Sequence, residues 1–430
     1  MSRGPSLWRH RDFLLLWTGQ TVSEMGSSVT LLALPLLAVS TLHASTFQVA
    51  VLAAAGNAAF LLVALQAGAL VDRWRKRRVM VWSDLLRGAL LVTVPLARLL
   101  GVLTLAQLYA VALAASVLTV CFDVAYQSYL PLLVTAEALV EGNAKIAGSQ
   151  SFAQVAGPST GGALVAALGA PYAVAGDVLS CAVSGLLTGR IADPEPPPAR
   201  RPPGTRLRLE IGEGLSFVLG HPVLRRVVGC TATNNFFTSA TGALEIVFLV
   251  RVLHASPRLV GLVLAIGALG GSAGSAVAGR LARRVGTARI VWVSILLEIP
   301  FLFATPLAFP GWGVLLVSLT GAASMAASVV YNVAQVSYRQ AVTPTRLLGR
   351  MNASTRVIVW GVMPLGAITG GAAGSLLGIR VTLLVAALGT SLSVLWVLAS
   401  PLRTARDVTD LPDGLGVAWS EPAALLGTST

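Results

Sequence analysis

Apolar residues fall into twelve runs of roughly the length a helix needs to cross a bilayer, about 20 residues. They lie near 13–39, 47–71, 78–98, 103–125, 143–168, 170–190, 227–251, 257–279, 289–309, 312–334, 354–377 and 379–400. Short polar stretches separate them, and lipid-exposed irregular backbone is not tolerated in hydrocarbon, so each run predicts a transmembrane helix. The expected fold is an all-α integral membrane protein with twelve transmembrane helices and both termini on one side.

One break is longer than the rest. Asp193 to Pro203 reads DPEPPPARRPP, too rich in proline to stay helical, and predicts an extended linker between two six-helix bundles. Beyond it, Leu209, Ile211, Leu215, Val218 and Leu219 recur at roughly helical spacing, which predicts an amphipathic helix along the membrane surface. The domains are then 1–190, an N-terminal six-helix bundle; 191–226, a cytoplasmic linker; 227–400, a C-terminal bundle; and 401–430, a flexible tail. The bundles repeat one another. Ser128-Tyr129 recurs as Ser337-Tyr338, Asn143-Ala144 as Asn352-Ala353, Gly161-Gly162 as Gly370-Gly371 and Gly169 as Gly378, each pair 209 residues apart, which predicts pseudo-symmetric halves with a path between them.

Charge orients this topology. With 31 Lys and Arg against 18 Asp and Glu and a mean hydropathy of +0.77, the chain is basic but far too apolar for a soluble nucleic-acid binder. The cations cluster at one end of the bundle, at Arg73–Arg78, Arg190–Arg226, Arg280–Arg289, Arg339–Arg356 and Arg403–Arg406, whereas the other end keeps Arg98, Arg251, Arg258 and Arg380. The positive-inside bias makes the arginine-rich end cytoplasmic, with both termini there. The first run leads into a full-length span through Gln20 and Glu24, and is read as retained. The three cysteines lie in apolar runs and none of the four histidines has a second ligand at metal spacing, so neither a disulfide frame nor a metal site is expected. The Gly267–Gly274 run has no preceding strand and no following Lys-Ser/Thr, which removes it as a nucleotide loop; no cofactor is expected.

The loop after the second run, Gly68-Ala-Leu-Val-Asp72-Arg73-Trp-Arg75-Lys76-Arg77-Arg78, resembles the G-x-L-a-D-R-x-G-R-K signature of the major facilitator superfamily. Gly68, Leu70, Asp72 and Arg73 match, Lys76 and Arg77 take the paired basic positions, and Arg75 replaces a glycine. Together with Arg11-Asp-Phe-x-x-x-Trp17-x-Gly-Gln20, this form is similar to the branch of macrolide-efflux and enterobactin-exporter proteins. The resemblance implies a cytoplasmic latch at Gly68, Asp72, Arg73, Lys76 and Arg77. In the fifth run Gly157-Pro158-Ser-Thr-Gly161-Gly162 resembles the family's GP-x-x-GG antiporter motif, where proline bends the helix and glycines permit close packing, with Gly267, Gly270, Gly271, Gly274 and Gly279 of the eighth run as a partner surface.

Ionisable residues inside spans are costly and mark functional sites. Glu24 lies near mid-depth of the first run and Glu245 is set against it in the seventh; the family implies that both runs line a central cavity. These lead the proton-coupling candidates, followed by Asp123 and Glu298. Asp84 and Arg87, three residues apart, read as a mutually neutralising pair, while Asp123 and Asp177 stand close enough to helix ends to reach water. Gln20, Asn234, Asn235, Phe236, Phe237, Tyr331, Asn332 and Trp360 are the substrate-cavity candidates, since amides interleaved with aromatics suit an amphiphilic ligand.

These features imply a monomeric secondary transporter, not an enzyme, in a bacterial cytoplasmic membrane. Its expected partners are the lipid bilayer, protons and a small molecule, an antibiotic, natural product or siderophore exported in exchange for protons, which would confer drug resistance. The alternatives are a proton-coupled uptake symporter and a non-transporting sensor on the same fold.

Overall fold

The computed structural model describes residues 7–63, 74–135, 138–192, 195, 207–344 and 347–411. Ten of its helices are long and apolar enough to cross a membrane. These are the first span, Arg11–Ser40; the third, Lys76–Leu99; the fourth, Leu105–Leu133; the sixth, Ala170–Gly189; the seventh, Leu224–Val252; the eighth, Pro257–Val285; the ninth, Ile290–Leu307; the tenth, Gly313–Val342; the eleventh, Leu348–Leu376; and the twelfth, Ile379–Leu398. Two more complete the twelve. The second, Thr46–Leu62, borders residues outside the described set, and the fifth, Leu139–Leu168, is made more polar by Glu141, Asn143, Lys145, Gln150 and Gln154.

Several helices outrun their apolar runs at the arginine-rich end. The fourth continues to Leu133 instead of 125 and the tenth to Val342 instead of 334. Hydropathy tracks only the hydrocarbon thickness, whereas backbone hydrogen bonds carry a helix on through Gln127, Ser128, Arg339 and Gln340 once it meets water.

The duplication is written into the backbone. Gly169 and Gly378 both take φ +86°, at the equivalent turns before the sixth and twelfth spans. The tetrapeptide Leu-His-Ala-Ser occurs at 42–45 and again at 253–256, and His43 and His254 are the two non-glycine residues with positive φ among those described, at +50° and +54°. In each copy an i to i−6 bond closes the preceding helix, from Ala44 N–H to Ala38 O and from Ala255 N–H to Leu249 O, and the serine then caps the next helix. The shared strain identifies the two turns as one inherited device.

The halves meet along two seams, the fifth span on the eighth and the second on the eleventh. Both seams are tightest toward the arginine-poor end. A Cβ on Gly162 would lie 2.5 Å from Pro257 O, and one on Gly371 would lie 2.2 Å from the Ala50 side chain. There a buried apolar cluster joins Leu32, Leu36 and Leu37 of the first span to Val49 and Leu52 of the second and to Leu244, Val247, Phe248 and Leu249 of the seventh. Arg251 reaches across to donate to Ala44 O. That end is closed.

At the arginine-rich end each half finishes by clasping its own third helix. Glu195, just past the sixth span, accepts from the backbone N–H groups of Lys76 at 2.7 Å and Arg77 at 3.2 Å, an anion at a helix N-terminus. Asp407, just past the twelfth, accepts from Thr287 N–H at 2.8 Å and its hydroxyl at 3.1 Å, ahead of the ninth span. The linker helix Leu207–Gly220 packs on the base of the eleventh span: Val218 is buried with Met351 and Val359, and Glu213 pairs with Arg350. Within the segment expected to be a flexible tail, residues 401–411 are packed, with Leu402, Ala405, Val408 and Leu411 buried; 412–430 lie outside the described residues.

The Thr287 backbone N–H, followed by its hydroxyl and nearby arginines, holds the Asp407 carboxyl below the usual carboxylate range. The clasp is therefore present above the unfolded value near about 4 and is lost as pH falls through the lower folded value. Amide protection at Thr287 and Val408, measured against the intrinsic exchange rate at each pH, should fall on acidification in that window, and Asp407→Asn should show lowered protection already at neutral pH.

Candidate functional site

A cavity of about 500 Å3 lies between the halves beneath the closed end. The first span contributes Ser27, Thr30, Leu31 and Leu34; the second, Leu52, Ala53, Gly56 and Asn57; the fourth, Ala112, Ala115, Ser116 and Thr119; the seventh, Asn235, Thr238, Ser239, Gly242, Glu245 and Ile246. Small side chains and isolated hydroxyls give a mostly apolar wall with sparse polar points, the pattern of an organic-ligand pocket. Three ionisable side chains line it among the described residues: Arg87, Asp177 and Glu245.

Arg87 and Asp177 neutralise each other. Arg87 Nη2 lies 2.9 Å from Asp177 Oδ1, and it also donates to Ser23 Oγ at 3.3 Å while its Nε faces Cys181 Sγ at 3.2 Å. This corrects two expectations. The direct ion-pair partner of Arg87 is Asp177 on the sixth span, not Asp84 on its own helix, because the guanidinium reaches sideways between helices instead of back along its own. Asp177, expected to reach water, is 1% exposed, because the sixth helix turns it inward.

Glu245 remains the cavity acid whose charge no ion pair offsets among the described residues, and the turn register shows that it is not the counterpart of Glu24. The 211-residue offset of the two Leu-His-Ala-Ser turns equates Glu24 with Asn235 and Glu245 with Leu34, so Glu245 sits about three turns nearer the closed end. Glu24 is outside the cavity lining; it accepts from Gln20 at 2.9 Å, four residues back along the helix.

A second, smaller opening of about 410 Å3 separates the halves toward the arginine-rich end. Asp123, Val124 and Gln127 of the fourth span face Asn352, Arg356 and Trp360 of the eleventh across it. Asp123 lies almost three turns from its helix end, deeper than expected, because the fourth helix runs on to Leu133. Arg356 stands 5.3 Å from the Trp360 ring.

The remaining expected cavity residues divide by helix face. Asn235 lines the cavity and donates to Val359 O at 2.9 Å. Asn234 is buried and accepts from Thr238; the Phe237 ring packs on Gly389 and the Phe236 backbone on Gly366, and neither residue lines the cavity. Tyr331 is buried against Thr231, their hydroxyls 2.6 Å apart, and Asn332 is exposed. Glu298 accepts from Ser324 at 2.7 Å between the ninth and tenth spans, outside the cavity. The GP-x-x-GG residues sit at a helix crossing: Gly157 and Gly161 against Ser28 and Val29 of the first span, Gly162 against Gly261 of the eighth. The fifth span's glycine partner is thus Gly261; Gly270 and Gly274 pack instead on Ala322 and Ala326 of the tenth. Of the latch, Gly68, Asp72 and Arg73 lie outside the described residues, while Lys76 and Arg77 take the Glu195 clasp. Trp17 of the N-terminal motif donates to Lys145 O at 3.2 Å, tying the first span to the fifth.

Sequence reasoning missed Asn57, Ser116 and Thr119. Each is a lone small polar residue in an apolar run; Ser116 and Thr119, three apart with Ala112 and Ala115, trace one helical stripe that could have flagged the cavity wall.

Twelve helices in two repeated halves around a central cavity define a secondary transporter of the major facilitator type. The chain belongs to the transmembrane secretion effector family of that superfamily, whose family model matches residues 5–423. It is 26% identical over 419 residues to the multidrug efflux pump Tap of Mycolicibacterium fortuitum, covering 94% of this chain and 97% of Tap. It is 28% identical over 307 residues to the uncharacterised transporter y4rN of Sinorhizobium fredii, 68% of each chain. In fold it is similar to the nucleoside transporter NupG, in its solved mutant form (TM-score 0.73, 13% identity, 90% of this chain and 99% of that one). It is equally similar to a bacterial homologue of the iron transporter ferroportin in its inward-facing state (TM-score 0.73, 16% identity, 92% and 99%).

Proposed function

We propose that this transporter is a proton-coupled exporter of an amphiphilic organic compound, working as a monomer in a bacterial cytoplasmic membrane with its arginine-rich end and both termini inside. The observation that carries this reading is the mostly apolar cavity whose one uncompensated ionisable group among the described residues is Glu245. Apolar walls select an amphiphile, and a single acid can exchange a proton against it. The positive-inside bias supports the orientation, the GP-x-x-GG crossing supports antiport, and Tap, named a multidrug efflux pump, supports export.

The closed arginine-poor end then corresponds to an inward-facing state. Closing that end withdraws water from Glu245, which favours its neutral form; opening it rehydrates the acid and lets the proton leave or return on the outer side. Compound enters from the cleft between Asp123 and Arg356 and displaces the proton. Asp72 of the signature loop contributes a latch that favours the opposite, outward-facing state.

Inverted vesicles containing the protein and a pH-sensitive dye provide the test. Within a panel of amphiphilic antibiotics and dyes, at least one compound should trigger proton release that vesicles lacking the protein do not show. Proton movement in the same direction as the compound, or transport that follows sodium instead, would overturn the antiport reading.

A further inference from the structure

The wall of the cavity holds one acid more than its cation can neutralise. Asp84 of the third span is 1% exposed, as is Asp177, and Arg87 is 6% exposed, so two carboxylates and one guanidinium are buried together, Arg87 and Asp177 at the cavity wall and Asp84 behind them. Arg87 donates from Nε to Cys181 and from Nη2 to Asp177 and Ser23. Asp84 Oδ1 receives a long contact from Ser23 Oγ, 3.5 Å, and the Ser184 hydroxyl of the sixth span faces the carboxyl as a second, weak donor, but Oδ2 and that hydroxyl are both buried with no partner at full bonding distance. An ionised Asp84 would leave a net negative charge in this dry cluster, which loss of hydration strongly disfavours. A proton on Oδ2 removes that charge and can be donated to Ser184 Oγ.

We infer that Asp84 is a proton-binding site in the wall of the N-terminal half, separate from Glu245, and that Arg87 communicates its state to the cavity. When the O–H bond of Asp84 breaks and its proton passes to cavity water, the new carboxylate competes with Asp177 for the one guanidinium. Ser23 is already the bridge, accepting from Arg87 at 3.3 Å and donating toward Asp84. Because Arg87 and Asp177 line the cavity and Asp84 does not, a change of partner alters the charge that a bound compound meets. The other titratable groups around the cluster are Glu24 on the first span, Asp123 on the fourth and Cys181 on the sixth. Both acids are less buried, and Asp123 opens to the cleft, so neither shares the enclosure that forces a proton onto Asp84.

The test is an infrared difference spectrum of the purified full chain in detergent, without substrate or gradient, so it stands apart from the export reading. One component of the carbonyl stretch of protonated carboxylic acids should be present in wild type at neutral pH and missing in Asp84→Asn, beside the component that Glu245 contributes to both. The Asp84 component should also be lost in Asp177→Asn, where Asp84 inherits Arg87 and ionises. That variant keeps the cluster neutral and should remain monodisperse, which guards against misfolding of Asp84→Asn. A carboxylic band unchanged from wild type in Asp84→Asn, or unchanged in Asp177→Asn, would overturn the assignment.

Discussion

Glu245→Gln is expected to leave the protein folded and able to bind compound, yet to cut compound-induced proton release by at least about tenfold, a change of about 1.4 kcal/mol or more in the coupling. Glutamine matches glutamate in volume and keeps a hydrogen-bonding head group, so the shape of the cavity wall is preserved while the exchangeable proton is lost. The other two ionisable groups of the cavity wall already satisfy each other at 2.9 Å and cannot take over without breaking that pair. Glu24→Gln is the informative comparison. Glu24 is bonded to Gln20 outside the lining, and its substitution should reduce proton release less than Glu245→Gln does. Proton release measured with the pH dye, alongside compound binding by fluorescence, separates the two; loss of binding in Glu245→Gln would move that residue from coupling to recognition.

Gly162→Val should open the arginine-poor end. At Gly162 an added Cβ would lie 2.5 Å from Pro257 O and 3.1 Å from Gly261 Cα, and at Gly261 one would lie 2.3 Å from Pro158 O. These obstacles are backbone atoms, which cannot swing aside as a side chain can, so the fifth and eighth spans must separate. Overpacking of this kind costs about 1–3 kcal/mol, which shifts a two-state equilibrium by about 5- to 150-fold. The closed state loses that much while the state with this seam apart loses little. Labelling of a cysteine at Phe47→Cys, beside the second seam, should therefore quicken and transport should fall by a comparable factor. Gly148→Val, on the same helix with nothing within 4 Å, is the control and should match wild type. Equal behaviour of the two variants would mean that the GP-x-x-GG crossing does not hold the end shut.

The architecture was legible because it is written in composition. Span length follows from hydrocarbon thickness, and the helices begin and end within a few residues of the apolar runs wherever a turn sits near the bilayer edge. The duplication was legible in Ser-Tyr and Asn-Ala pairs, though its sharpest trace, the repeated Leu-His-Ala-Ser, was hidden: histidine takes the left-handed region more readily than most residues but far less often than glycine, and the turn carried no glycine to announce it. The site was less legible. Glu245 could be singled out as a carboxylate in a span, but whether it faces the centre depends on helix rotation, which hydropathy does not fix when polar residues are spread round the helix as they are in the seventh span. The same ambiguity turned Phe237 and Tyr331 away from the cavity. Arg87 was assigned to Asp84 because sequence offers neighbours at i+3, while Asp177 lies 90 residues further on and is brought near only by packing of the third span on the sixth.

The most direct test of proton-driven alternation is a pair of spin-label distances in nanodiscs, Gln127 to Asn352 across the arginine-rich cleft and Phe47 to Leu377 across the arginine-poor end, followed as pH is raised. Ionisation of Glu245 should favour the state in which it is hydrated, so the first distance should shorten as the second lengthens, and Glu245→Gln should abolish both responses. Distances that ignore pH, move in the same direction, or respond equally in Glu245→Gln would contradict the account.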